Sequence, residues 1–221
     1  MGDLEKRIQR LEDIEAVRRL QNVYGYYLDK CLYEEVVALF ADECEVRFLG
    51  GRFLGKEGAR RLYLGRFRER FGGGKNGPQY GVLLDHIIVQ DVIDVDVETG
   101  RAWGRFRCFL QGGRHESTPS DRAEQVRRQW WEGGVYENEY VKENGIWKIK
   151  VLDYRPYWIA NYEKGWAQWP DPPVFVFTST YPEDPYGPDV LMADPPRMWP
   201  EPYVVPFHYP HPVTGQKVPV P

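Results

Sequence analysis

Apolar residues recur every three or four positions at the start of the chain. From Leu4 to Asp29 this spacing, with charged residues between, predicts a long amphipathic helix. Residues 33–41 predict a short second helix, because two glutamates suit its N-terminus. Residues 56–71 predict a third, which the glycines at 72–74 would end.

Beyond residue 82 the apolar residues alternate with polar ones, which predicts strands. These strands are expected at 82–97, 101–110, 135–141 and 146–154, after an earlier one at 44–49. Asn144-Gly145 joins the last two, and this dipeptide is the strongest short-range signal for a hairpin. Helices followed by paired antiparallel strands predict an α+β fold. The polar segment 112–128 is expected to form a long loop or lid.

Prolines divide the chain into two parts. Fifteen of the 18 fall between Pro170 and Pro221, where regular helix or central strand cannot form. This segment is also rich in aromatic residues, unlike a typical disordered tail. We therefore predict a cone domain over 1–165 and an extended arm over 166–221. The arm would pack its rings on its own core or on a neighbouring subunit.

Composition narrows the class of protein. The 221 residues carry 29 basic and 33 acidic side chains, which argues against a nucleic-acid partner. No apolar run approaches the roughly 20 residues of a membrane span, and the charged N-terminus shows no secretory signal. Three widely spaced cysteines indicate reduced thiols. A cytoplasmic protein is expected.

His86 is the first candidate for chemistry. Alternation places it on one strand face with Leu84, Ile88 and Gln90. A histidine among aliphatic residues is more often structural, but with a carboxylate partner it would be a general base.

The second candidate is the end of the first helix. Tyr24 and Asp29 are five residues apart and converge only if the helix ends or bends there, which Gly25 permits. Core packing of Tyr24 and Tyr27, and a capping role for Asp29, are the alternatives.

Two later strands could supply a substrate wall. Trp103, Arg105 and Arg107 share a face that is either a substrate wall or an outer face paired with carboxylates. Tyr136 and Asn138 share a face of the next strand, and strict alternation in the last strand brings Asp153 towards the pocket rim.

Phosphate-loop and nucleophile-elbow motifs are missing, and no cluster suggests a metal site. An enzyme of this sequence would work without a cofactor or metal.

Five motifs in order resemble the SnoaL-like branch of the nuclear transport factor 2-like superfamily over roughly residues 5–158. They are the Tyr-x4-Asp helix ending, Leu-Phe-Ala-Asp-Glu at 39–43, Leu-Gly-Lys-Glu-Gly at 54–58, Asp-His-Ile-Ile-Val-Gln at 85–90 and Gly-Ile-Trp-Lys-Ile at 145–149. The resemblance implies a cone of curved antiparallel sheet closed by three N-terminal helices around a deep apolar pocket.

Scytalone dehydratase and bile-acid 7α-dehydratase, members of that superfamily, eliminate water with a pocket Asp, His and Tyr. The resemblance carries these roles to Asp29, His86 and Tyr24. Diarylpropane lyases of similar type release formaldehyde from lignin-derived diols without a cofactor, as part of aromatic compound catabolism. The expected pocket residues are Tyr24, Tyr27, Asp29, His86, Trp103, Arg105, Arg107, Tyr136 and Asn138.

The sequence therefore predicts a cofactor-free lyase for a small hydrophobic aromatic alcohol, which loses either water or formaldehyde. The protein is expected to be a homo-oligomer, a dimer or trimer. A non-catalytic scaffold subunit, a ligand carrier and an isomerase remain open alternatives.

Overall fold

The computed structural model describes residues 2–118, 129–194 and 197–220. The helical segments are α1 (Asp3–Asp29), α2 (Tyr33–Ala38), α3 (Gly55–Arg60), a π-helical segment (Arg61–Phe67) and α4 (Arg68–Gly72). Most of the predicted lid, residues 119–128, lies outside the described residues. None of the described helices is long and apolar enough to cross a membrane.

The predicted third helix is confirmed as one helical run, although its middle is wound more loosely. It passes from α3 through the π-helical segment into α4. Gly73 ends it with a φ of +54°, a left-handed conformation that glycine adopts without a Cβ clash.

The strands of the described residues form one curved sheet. They are β1 (Phe40–Phe48), β2 (Gly51–Leu54), β3 (Val82–Asp96), β4 (Arg101–Arg114), β5 (Gln129–Glu143), β6 (Ile146–Asn161) and β7 (Val190–Leu191). Their order is β3-β4-β5-β6-β1-β2-β7. Every pairing is antiparallel except that of β1 with β6. The predicted α+β class and the Asn144-Gly145 hairpin are confirmed.

A bulge in β3 limits the predicted alternation. Leu84, His86 and Ile88 face inward as expected, but Gln90 has a φ of +55° and the register shifts between Val89 and Val92. An extra residue on one strand exchanges its two faces. Inward packing is therefore resumed by Ile93 rather than continued by Gln90.

A second bulge corrects the prediction for the last strand. Glu139 of β5 is paired with Val151, whereas Tyr140 is paired with Ile149, so Lys150 is the extra residue of β6. Leu152 and Tyr154 consequently face the helices. Asp153 does not reach the pocket; its carboxylate instead accepts hydrogen bonds from the arginines at 47 and 155.

The described part of the C-terminal segment lies along its own chain. Phe177 is buried, with its ring centroid 5.4 Å from that of Phe53. Further along, the carbonyls of Val205 and Pro206 accept hydrogen bonds from Arg105. The C-terminal segment therefore contacts both β2 and β4 of the sheet.

Candidate active site

A cavity of about 140 Å³ lies between the helices and the inner face of the sheet. Its walls are mainly aromatic and aliphatic, with a small number of polar groups. The lining residues include Tyr24, Tyr63, Arg66, His86, Leu110, Glu132, Tyr136, Tyr154, Ile159 and Phe175. An apolar cavity with few polar groups is typical of small-molecule sites.

Asp29 and His86 form a close pair at this cavity. The Asp29 carboxylate accepts two hydrogen bonds from the His86 backbone N–H, at 3.0 and 3.2 Å, and its Oδ1 lies 2.5 Å from His86 Nδ1. Both side chains are about nine-tenths buried. Because a carboxylate only accepts, Nδ1 carries the proton and Nε2 is the nitrogen left for a ligand.

The pair forms because α1 and β3 approach closely. A Cβ on Gly25 would lie 2.9 Å from Ile88 Cδ1, so the glycine permits this packing. Helix α1 then ends at Asp29, and Cys31 turns the chain with a φ of +53°. The structure thus brings together Asp29 and His86, two of the residues that were expected at the pocket.

Tyr24 lines the same cavity within a tyrosine cluster. Its hydroxyl lies 2.9 Å from that of Tyr63, and its ring packs edge-on against Tyr136. Burial raises the pKa of Tyr24 far above its usual value, and it does the same for Tyr63 and Tyr136. These hydroxyls therefore stay protonated at neutral pH and can act as hydrogen-bond donors.

Tyr136 is the one predicted substrate-binding residue that lines the cavity. The outer face of β4 carries Trp103, Arg105 and Arg107. The alternating pattern allowed either a substrate wall or an outer face for these residues, and the structure has the outer face. Tyr27 is half-buried and packs against the core without lining the cavity.

Arg105 is held away from the cavity by partners on the outer face. Its guanidinium donates to the carboxylate of Glu137 and lies 4.2 Å from the centre of the Phe207 ring. The prediction that it contacts substrate is not supported by this geometry, because its charge is already paired there.

Asn138 faces inward as expected, but its amide is engaged in the core. It donates to Gln21 and to the Tyr140 hydroxyl, and it accepts from the backbone N–H of Asp153. It stabilises the sheet below the cavity and does not line it.

Several lining residues were not anticipated from the sequence. Strict alternation, which brings Asp153 towards the pocket, places Tyr154 on the opposite face, because the bulge at Lys150 leaves no mark in the sequence pattern. Glu132 could have been found, since it lies four residues before Tyr136 and so shares its face. Phe175 reaches the cavity from the arm, which local periodicity does not show.

Comparison with solved structures shows the same fold at low sequence identity. A protein described as a candidate scytalone dehydratase from Novosphingobium aromaticivorans DSM 12444 is 22% identical, with a TM-score of 0.53 over 75% of this chain and 97% of that chain. LinA-type3, a hexachlorocyclohexane dehydrochlorinase from Novosphingobium barchaimii LL02, is 18% identical, with a TM-score of 0.55 over 80% and 99%. LinA itself is 17% identical, with a TM-score of 0.56 over 81% and 99%.

No significant match was found among curated protein sequences. The family assignment comes instead from residues 9–153, which match the SnoaL-like domain. This segment contains most of α1, the Asp29–His86 pair and most of the sheet. The chain therefore belongs to the SnoaL-like domain family.

Proposed function

We propose that this protein is a cofactor-free lyase that acts on a small hydrophobic aromatic alcohol. The observation that carries the proposal is the buried Asp29–His86 pair at the wall of an aromatic cavity. A histidine oriented by a carboxylate is a general base, and removal of a proton is the step that an elimination requires.

In the proposed reaction His86 Nε2 removes a proton from the substrate. For loss of water the proton leaves a carbon, its electron pair forms a double bond, and the departing hydroxyl takes a proton. For loss of formaldehyde the proton leaves a primary hydroxyl, and the O–H electron pair forms the carbonyl of formaldehyde as the adjacent carbon–carbon bond breaks. The electron pair of that bond forms a carbon–carbon double bond, and the neighbouring hydroxyl takes the proton and departs as water. Tyr24, paired with Tyr63, would donate a hydrogen bond to the oxygen that gains charge.

The similar structures support an elimination, since those proteins are described as a dehydratase and dehydrochlorinases. The aromatic walls support the substrate class, because rings pack on rings in the cavity.

The experiment is mass spectrometry of lignin-type aromatic diols incubated with metal-stripped protein. A product lighter by water indicates a dehydratase, and release of formaldehyde indicates a deformylating lyase. A product of unchanged mass indicates an isomerase, and tight binding without turnover indicates a carrier. Neither of these last two outcomes is compatible with the proposal.

His86→Ala tests the base directly. A positioned general base contributes about 10² to 10⁴-fold to the rate, so kcat/KM should fall by about 100-fold or more. His115→Ala is the matched control, because His115 is exposed and hydrogen-bonded to Ser117 outside this cavity. A loss below about tenfold in His86→Ala would exclude His86 as the base.

A further inference from the structure

A second polar region lies on the cavity wall, away from the Asp29–His86 pair. Four residues that are paired across neighbouring strands line the cavity. His86 is paired with Leu110, Leu110 with Glu132, and Glu132 with Ile159. Neighbouring strands are about 4.8 Å apart, so two strand spacings, or roughly 10 Å, separate the backbones of His86 and Glu132. The cavity thus carries a carboxyl group across from the histidine.

Tyr154 brings its hydroxyl beside Glu132. Gly134 follows Glu132 by two residues on the same face of β5, and a Cβ there would lie 2.8 Å from the Tyr154 hydroxyl oxygen. The tyrosine therefore reaches across β5 into the space that the glycine leaves. Burial and the nearby Glu132 carboxyl raise the pKa of Tyr154, so its hydroxyl keeps its proton.

The Tyr154 hydroxyl is buried and makes no hydrogen bond of good geometry with the described residues. Buried polar groups in native proteins usually have a partner, and one that lines a cavity points to a ligand group. The Tyr136 ring lies 4.8 Å from the Tyr154 ring and continues the aromatic wall towards Tyr24.

We propose that Glu132 and Tyr154 bind a hydroxyl group of the substrate at the end of the cavity opposite His86. A hydroxyl both donates, here to the Glu132 carboxylate, and accepts, here from the Tyr154 hydroxyl. A protonated amine cannot accept and an ether cannot donate. The favoured substrate is therefore an aromatic compound with a second hydroxyl across the ring from its reacting alcohol. This inference takes the reacting end from the proposed function.

The test uses two probes of similar size, 4-hydroxybenzyl alcohol and 4-methoxybenzyl alcohol, titrated calorimetrically into the full-length protein. We expect the wild type to bind the phenol about tenfold more tightly than its methyl ether, because the ether cannot donate to Glu132. Glu132→Gln should reduce this ratio to about threefold or less, whereas Tyr154→Phe should weaken the binding of both probes by a similar factor, because both of their oxygens can accept a hydrogen bond from the tyrosine. Glu139→Gln is the matched control, since Glu139 lies on the outer face of β5 with Arg101; it should keep the wild-type ratio.

Equal affinity of the wild type for both probes, or no binding of either, would overturn the proposal. So would an unchanged ratio in Glu132→Gln together with unchanged affinities in Tyr154→Phe. Should Glu132→Gln fail to fold, as judged by circular dichroism, Tyr154→Phe decides the question, because an unchanged affinity for both probes would show that its hydroxyl does not bind the ligand.

His86→Ala separates this inference from the proposed function. It should abolish turnover while the probe ratio persists. A wild type that prefers the phenol but turns over no aromatic diol would keep the binding inference and reject the lyase.

Discussion

Asp29 fixes both the backbone and the ring of His86. Its carboxylate accepts from the backbone N–H and lies against Nδ1, so strand position and ring orientation depend on one side chain. Because the carboxylate does not line the cavity, Asp29 is a positioning residue in the proposed reaction.

Asp29→Asn is expected to lower kcat by about 100-fold or more while KM changes little. An amide can donate to Nδ1 and so favours the tautomer in which Nε2 is protonated and cannot act as base. Steady-state kinetics on whichever aromatic diol proves to be a substrate measure the effect. A KM that rises in proportion while kcat stays constant would instead indicate a role in binding.

The three cysteines are expected to be unreactive in the folded protein. Each is buried, and burial raises the pKa of Cys31 and Cys108 and raises that of Cys44 to about 11. Since the thiolate is the nucleophile, a chromogenic disulfide reagent at pH 8 should titrate all three only after denaturant is added. Rapid labelling without denaturant would contradict the burial of these residues.

At the scale of elements, bulges decide which side chains reach the cavity. Alternation correctly orients β3 as far as Ile88 and β6 as far as Ile149. Beyond each bulge the two faces are exchanged, which brings Tyr154 inward and turns Asp153 outward. The outward carboxylate joins a cluster of charged residues that ties β1, β2 and β6 together.

Glu45 holds the centre of that cluster and gives it a pH dependence. Burial alone would raise the pKa of Glu45, but hydrogen bonds from Arg52 and Arg47 lower it to about 2. A lowered pKa means that the stabilisation is complete above the ordinary value near 4.5 and is lost as the pH falls towards 2.

Glu45→Gln should therefore lower the Tm at pH 7 by about 2–4 °C, equivalent to about 1 kcal/mol. The difference from wild type should shrink as the pH falls below 4 and vanish near pH 2. Calorimetric scans across this range make the comparison, with Glu43→Gln as the control at an exposed position of the same strand. A difference that stays constant with pH would exclude the ionic origin.

At the scale of the whole molecule, the arm completes the cavity of its own chain. Phe175 lines the cavity, and the Arg66 guanidinium lies over the rings of Phe175 and Phe177. Arg66 also donates to Asp184, which fixes this part of the arm against the π-helical segment. Whether the arm also contacts a second subunit in the expected dimer or trimer remains a prediction.

Removal of residues 170–221 is expected to lower the Tm by about 10 °C. Loss of the buried Phe177 and Val205 alone removes about 3–6 kcal/mol of apolar burial, and each kcal/mol corresponds to about 2–4 °C. Turnover of aromatic diols should fall with it, because the cavity loses its Phe175 wall. Thermal scans measure the Tm, and light scattering measures the size of the oligomer.

An unchanged Tm and unchanged turnover would contradict the packing in this structure. A smaller oligomer after truncation would show that the arm also holds a neighbouring subunit.

The sequence by itself determined the α+β class, the three helices, the hairpin at Asn144 and the candidate pair of Asp29 with His86. These features depend on local spacing, on residues with special backbone conformations, or on the five-motif resemblance, all of which can be read along the chain. The tertiary structure alone decided which faces of β4 and β6 meet the cavity, and it added Glu132, Tyr154 and Phe175 to the wall. A bulge inserts one extra residue and so exchanges the two faces of a strand, and no pattern in the sequence marks its position. The contacts of the arm join positions more than 100 residues apart, as the pair of Arg66 and Asp184 does, so local spacing cannot predict them.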